Sequence, residues 1–256
     1  MGSRRYSSHM TDQHAGSSGA IDLNADLGES YGNWKMGNDA EMLAVVTSAN
    51  IACGFHAGDP LTIKRTVEKA AELGVVIGAH VAYPDLVGFG RRAIDIEPDA
   101  LEADVLYQLS ALDGLCRVAG TRVRYVKPHG ALYHRVNSDP AQARALASAV
   151  HAFDKDLPLL GAAGPLRSEA DQRGMRVVGE GLTDRAYRAD GTLVPRSDPG
   201  AVHNDSGAVA AQAMSLARTP GIGSLCLHGD TPNAVHHAHA VRSALLEAGF
   251  TLRAFV

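Results

Sequence analysis

An α/β fold, with parallel strands closed or nearly closed into a barrel, is what this sequence predicts, and three observations predict it. Short apolar runs of β type alternate with longer helical patterns from Ile21 onward. Strands separated by helices pair in parallel through right-handed crossovers. The units number seven or eight with no obvious point where strand order reverses, which favours a (β/α) barrel over an open, doubly wound sheet.

The strand candidates are 21–24, 49–52, 75–79, 122–126, 157–160, 175–178 and 224–227, with a last one at 251–256. Asp59-Pro60 places a capping carboxylate before a proline suited to the first helical position, and Gly74 ends the helix over 61–73. Glu97-Pro98 opens a long helix whose apolar residues Leu101, Val105, Leu109, Leu112 and Cys116 recur every three or four positions, and Gly120 stops it. Asp139-Pro140 and Asp230-Thr231-Pro232 are expected to open two more, and a further helix is expected from about Asp205. Between 180 and 205 runs a long connection, EGLTDRAYRADGTLVPRSDPGAVHND. Loops beyond about 12–15 residues are usually functional or disordered. Ala189-Asp190-Gly191-Thr192 is a hairpin turn signal between Tyr187 and Leu193, so a small lid is one reading and a surface loop the other.

Composition narrows the function. A chain of 256 residues, 45% hydrophobic and 20% charged, buries enough surface to fold without a disulfide or metal. A net charge of −4 and the absence of lysine or arginine clusters argue against a nucleic-acid or anionic-membrane surface. No apolar run reaches the roughly 18 residues of a membrane span. Three cysteines (Cys53, Cys116 and Cys226) at unrelated spacings fit a reduced, cytoplasmic protein and read as packing residues. Residues 1–19 are polar, lack the apolar stretch of a signal peptide and read as a disordered leader; a single domain is expected over 20–256.

Polar residues collect at the strand ends. The first strand leads to Asp26 and Glu29, the second to Cys53, His56 and Asp59, the third to His80, the fourth to Lys127 and His129, the sixth to Glu180, and the seventh to His228 and Asp230. The carboxyl ends of parallel barrel strands converge on one mouth, where such folds carry their chemistry. Duller readings stand beside this one. Helix capping accounts for Asp59 and Asp230 equally well, and the Arg91-Arg92 pair after Gly88-Phe89-Gly90 is either an anion site or a surface pair. Cys53 is a packing residue more readily than a nucleophile. The glycines around His56 let backbone approach a ligand. His236, His237 and His239 on the last helix form no metal face and read as solvated. No P-loop and no GxGxxG occurs.

These segments together resemble the LamB/YcsF family: DLNADLGE (22–29), SANIACGFHAGDP (48–60), IGAHVAYPDLVGFGRR (77–92), VKPHGALYH (126–134), TDRAYRADGTLVPR (183–196) and LHGDTPNAV (227–235). The resemblance implies a seven-stranded, irregular (β/α) barrel of the glycoside hydrolase/deacetylase-like kind. It implies ATP-dependent hydrolysis of the cyclic amide 5-oxo-L-proline (pyroglutamate) to L-glutamate with two partner subunits, B and C. ATP with Mg2+ is then a co-substrate, and no tightly bound cofactor is expected.

An unstrained lactam is a poor electrophile, and phosphorylation of its oxygen would activate it. The mouth must supply a base, oxyanion donors and cations. The expected catalytic residues are Asp26, His56, Lys127, His129 and His228, with Asp26 or His56 as general base. Asn24, Glu29, His80, Arg91, Asp184, Arg185, Tyr187 and Asp230 are expected to bind substrate or phosphate. Two alternatives belong to other classes. One is a metal-dependent deacetylase-like hydrolase with Asp26, His56 and His80 as ligands. The other is a non-catalytic subunit that binds 5-oxoproline.

Overall fold

The computed structural model describes residues 19–196, 198–231 and 233–256. In chain order its elements are β1 (Ala20–Leu27), α1 (Asp39–Leu43), β2 (Ser48–Ala52), α2 (Pro60–Leu73), β3 (Val76–Val81), α3 (Pro98–Val118), β4 (Tyr125–Pro128) and α4 (Gly130–Val136). They continue with α5 (Pro140–Phe153), β5 (Leu159–Leu160), α6 (Gly164–Gln172), β6 (Val177–Leu182), α7 (Ser206–Ala217), β7 (Ile222–His228), α8 (Ala234–Glu247) and β8 (Thr251–Leu252). The leader expected over 1–19 lies, except for Gly19, outside the described residues.

All pairings are parallel and run β2-β3-β4-β5-β6-β7-β1, and β1 pairs back onto β2, so seven strands close into a barrel. The eighth strand adds only at the foot of β1, opposite Ala20 and Ile21. Among the described residues no helix is long and apolar enough to cross a membrane.

The alternation of side chains along a strand separates two very different environments here. On β1, Leu23, Ala25 and Leu27 belong to the apolar layer packed under the helices. Asp22, Asn24 and Asp26 face inward. Asp22 accepts hydrogen bonds from Ser48 and Ser224, Asn24 donates to Ser224, and Asp26 meets Lys127. The barrel interior is therefore mostly polar, and its buried groups are largely satisfied by one another as burial requires, Glu180 Oε2 being an exception. Only the lower end is apolar: Tyr125, Leu160 and Val178 cluster there with Phe255 and Val256. Tyr125 needs a glycine opposite it, since a Cβ on Gly78 would stand 2.2 Å from its ring.

The helix punctuation works as read at Asp59, whose carboxylate accepts from Leu61 N and Thr62 N, at Asp139, and at Gly74, whose φ of 68° needs a glycine. It fails at Asp230. The last helix starts at Ala234 with Asn233 as a left-handed cap (φ 62°), and Asp230 turns away to pair with Arg91; Pro232 lies outside the described residues. The expectation of three solvated histidines on that helix also needs correction. His236 and His239 are exposed, but His237 is buried against Ser206, with its Nδ1 2.7 Å from the hydroxyl.

Because Gly78 leaves room for the Tyr125 ring, Gly78→Ala is expected to destabilise the protein by about 1–3 kcal/mol, the usual range for overpacking. Denaturant unfolding checks this, and an unchanged midpoint would show that the ring has other room.

Candidate active site

At the carboxyl end of the barrel opens a cavity of about 440 Å3. Asp26, Lys127, Glu180 and His228 line its floor, and Leu193, Val194, Pro195 and Arg196 of the long connection line its roof. That connection folds back as the turn signal suggested: Arg188 N donates to Thr192 O, Val194 N to Ala186 O, and Tyr187 bridges Leu193.

The floor is organised by one buried ammonium. Lys127 Nζ lies 2.9 Å from Asp26 Oδ1, 2.9 Å from a Glu180 oxygen and 3.0 Å from Cys226 Sγ. Burial alone would push the Lys127 pKa down, but Asp26, Cys226 and Glu180 outweigh it and hold the ammonium well above its ordinary value. Burial likewise works against the Asp26 carboxylate, and His80 and Lys127 more than compensate, holding it well below the usual range. Asp26 also accepts from Asn50 Nδ2 at 2.8 Å. An acid so stabilised as the anion and so fully engaged is a weak base, which counts against Asp26 in that role.

Beside this floor stand three histidines and a glutamate. His80 and His129 line the cavity. His129 Nδ1 is 2.9 Å from His80 Nε2, and the outer nitrogens of both rings meet backbone carbonyls: His80 Nδ1 at Lys127 O (3.1 Å) and His129 Nε2 at Phe89 O (2.8 Å). His56 is wholly buried behind His129, its ring stacked at 3.8 Å, with Nε2 3.1 Å from Glu29 Oε1. Burial, reinforced by Asp26 and Asp230, holds Glu29 well above its usual pKa, and burial and His80 hold His56 well below its own. Both shifts favour the uncharged form of the group concerned. Of the glycines flanking His56, Gly58 fits against Gly28 O, where a Cβ would stand at 2.6 Å.

On the far wall, His228 Nδ1 lies 2.8 Å from Asp184 Oδ1. A carboxylate only accepts, so Nδ1 carries a hydrogen, and the lone pair of the neutral ring is then on Nε2. Asp184 is held below its ordinary pKa because His228 outweighs the cost of burial. Arg91 lines the cavity, stacks on Phe89 at 4.8 Å and pairs with Asp230 at 2.6 Å, while its neighbour Arg92 is taken by Asp85. Arg185 lines the cavity too, but its guanidinium donates to Ala201 O and Val194 O and so fastens the roof.

The structure thus brings Asp26, His80, Arg91, Lys127, His129, Arg185 and His228 to one cavity. Asn24, Glu29, His56 and Asp184 sit one layer behind it, and Asp230 holds Arg91. Tyr187, expected to close over substrate, instead accepts from Leu182 N through its hydroxyl. Of the metal trio Asp26, His56 and His80, His80 Nε2 lies 3.4 Å from Asp26 Oδ2, but His56 does not group with Asp26. His56 and His80 group with Glu29 and His129, whereas Asp26 groups with Cys226 and His228. Cys53 and Cys116 are buried thiols whose pKa burial pushes up, as packing residues should be, but Cys226 sits under the site against Lys127. Glu180 is legible in the sequence as a strand-end residue but not as part of the site. Arg196 is not legible at all, because nothing in a loop sequence says which side faces inward.

A model of the LamB/YcsF family matches residues 21–256. The chain belongs to the LamB/YcsF family. Among LamB/YcsF relatives, a protein of Acinetobacter baumannii (strain ACICU) named as the A component of 5-oxoprolinase is 53% identical over 249 residues, covering 92% of this chain and 98% of that protein. One of the same name from Mycobacterium avium (strain 104) is 51% identical over 248 residues, with the same two coverages. The crystal structure of a lactam utilization protein from Thermus thermophilus superposes with a TM-score of 0.84 at 45% identity, covering 92% of this chain and all of that one. The catalytic domain of a peptidoglycan N-acetylglucosamine deacetylase from Eubacterium rectale shares the fold alone, at TM-score 0.53 and 10% identity, covering 93% of this chain and 88% of that one.

Removing one partner of a buried ion pair costs about 3–5 kcal/mol, so Lys127→Met is expected to lower stability by that order. The sign with pH follows from the two shifts. Asp26, lowered in the fold, contributes stability above about pH 3.9 and loses it as pH falls through its folded value. Lys127, raised, contributes below about pH 10.4 and loses it on the alkaline side. In Lys127→Met, burial is left unopposed by the ammonium, and acid relieves the stranded carboxylates. The melting-temperature gap to wild type should therefore narrow from about pH 8 to about pH 5; a constant gap would contradict the pairing.

Proposed function

We propose that this chain opens 5-oxo-L-proline hydrolytically to L-glutamate, as the A component of an ATP-hydrolysing 5-oxoprolinase. The observation that carries the reading is the pairing of the Asp184-oriented His228 with the buried Lys127 ammonium around one cavity. The names of the relatives and the lactam utilization protein at TM-score 0.84 support the substrate class.

In this reading His228 Nε2, free of hydrogen on the Asp184-bound tautomer, takes a proton from water as the water oxygen attacks the lactam carbon. Lys127 and Arg91 meet the negative charge that gathers on the carbonyl or phosphorylated oxygen. Glu180 keeps one oxygen, Oε2, without a hydrogen-bond partner although it is buried. A lactam N–H is the donor that oxygen lacks. The C–N bond then breaks, and the ring nitrogen takes the proton held by His228 to become the amine of glutamate; where the oxygen carries phosphate, the product is an acyl phosphate, from which a second water releases inorganic phosphate to leave L-glutamate. His228 thus replaces Asp26 and His56 as our choice of base.

ATP enters as co-substrate, with Mg2+, to phosphorylate the lactam oxygen. This chain has no P-loop, so we assign that step to partner subunits B and C, and we expect the isolated chain to be nearly inactive. A cytoplasmic location goes with this reading and is supported by three unbridged cysteines.

The test is glutamate release from 5-oxoproline and ATP by the chain combined with its B and C partners. His228→Gln and Asp184→Asn are each expected to lower kcat by about 100-fold or more. Full turnover by either variant, or by Lys127→Met, would remove that residue from the scheme; no turnover by the wild-type assembly would remove the scheme.

A further inference from the structure

We propose that Glu29, His56, His80 and His129 form a binding site for one divalent transition-metal ion, through Glu29 Oε1, His56 Nε2, His80 Nε2 and His129 Nδ1. Each of the four residues offers an atom within 4.8 Å of the other three. The closest pairs are 2.9 Å (His80 with His129), 3.1 Å (His56 with Glu29) and 3.8 Å (His129 with Glu29). Nitrogen and oxygen ligands about 2.0–2.2 Å from an ion stand roughly 3 Å from one another, so these separations suit a shared ion with small adjustments.

Hydrogen-bond chemistry points the same way. Two outer ring nitrogens face backbone carbonyls, at Lys127 O and Phe89 O. Carbonyls only accept, so those nitrogens carry the hydrogens. In the neutral rings the inner nitrogens, His80 Nε2 and His129 Nδ1, then hold lone pairs aimed at each other across 2.9 Å, with Asp26 Oδ2 3.4 Å from His80 Nε2. Two lone pairs at that distance repel unless a cation, either a proton or a metal, lies between them. An outer N–H held by a carbonyl while the inner nitrogen ligates is the usual second layer of a histidine metal site. His56 is fully buried with its Nε2 toward Glu29; its outer nitrogen, Nδ1, lacks the carbonyl partner that the other two rings have. The one nitrogen with a role is the one turned toward Glu29.

The surroundings fix these rings. The Phe89 ring stands edge-on to His56 and His129, with centroids 5.5 and 5.2 Å away. Gly90 lets that turn close down, since a Cβ there would come within 2.7 Å of His129 and 2.8 Å of His56. The four ligands come from the carboxyl ends of β1, β2, β3 and β4, so the fold and not one local motif assembles them. The second cluster, Asp26, Cys226 and His228, is a weaker candidate, because the Lys127 ammonium already lies against its carboxylate and sulfur. A donor set of three imidazoles and one carboxylate suits Zn2+, Co2+, Mn2+ or Fe2+. Since His80 and His129 also line the cavity, an ion held here would have access to a bound lactam or water.

The full chain, stripped with chelator and dialysed, should take up one equivalent of Zn2+ or Co2+. With Co2+ it should show visible d–d bands and no near-ultraviolet thiolate-to-cobalt band. Glu29→Gln and His56→Gln should each weaken uptake by at least about tenfold. A His236→Ala, His239→Ala double variant, lacking the two exposed histidines of α8, should bind as wild type does. Absence of saturable binding would overturn the site and leave the His80–His129 contact to a proton. A thiolate band would move the ion to Cys226, and loss of binding in the surface double variant would make it adventitious. If the ligand variants fail to fold, the wild-type stoichiometry and cobalt spectrum still decide the question.

Discussion

A charged lysine inside a barrel is the constraint around which this structure is arranged. An isolated buried ammonium is so costly that it either loses its proton or acquires partners. Lys127 has acquired them from three directions, Asp26 on β1, Glu180 on β6 and Cys226 on β7. Those partners have needs of their own. Asp26 takes Asn50, Asn50 gives to Asn24, and Asn24 gives to Ser224, which in turn serves Asp22. Inward-facing residues of β1, β2 and β7 thus form one polar column below the cavity. Apart from Glu180 Oε2 the network is satisfied, and that matters because a half-satisfied network is worse than an apolar core.

That column also sets what each residue can do. Carboxylates pinned by an ammonium and by amides stay anionic and are poor proton acceptors, so the work of a base falls to a group outside the column. His228 qualifies, being turned by Asp184 and only partly buried. The histidines next to Asp26 are instead held from behind by carbonyls, an arrangement suited to coordination. In the proposed reading the two adjacent clusters of similar composition serve different chemistry, and the difference lies in what each ring's outer nitrogen touches.

Much of this is legible in the sequence. The alternation of apolar runs with capped helices points to the barrel, and the ionisable residues after the strands point to its mouth. The short helices α1, α4 and α6 fall below the length at which periodicity speaks. The β-type run of the first strand stops at Asn24, whereas the strand itself continues to Leu27. That difference hides the inward row of Asp22, Asn24 and Asp26, because polar residues at alternate positions suggest a solvent face unless the barrel interior is known to be polar. Asp230 looks like a helix cap because its local sequence is that of one; its partner Arg91 is 139 residues away. His237 gives no sign of its burial, which depends on how α8 meets the start of α7. Each miss is a tertiary contact overriding a sound local rule.

The roof differs in kind from everything beneath it. It is fastened at its base by Arg185, whose guanidinium grips Val194 and Ala201 through their carbonyls, and Gln212 clamps the carbonyls of Leu182, Thr183 and Arg185. The side chains that look down into the cavity from Leu193 to Arg196 take no part in those bonds to the main chain. Selection can therefore exchange them one at a time without disturbing the column of buried charge. Contacts to a ligand from this roof are thus structurally separable from the charges that the strands hold beneath it.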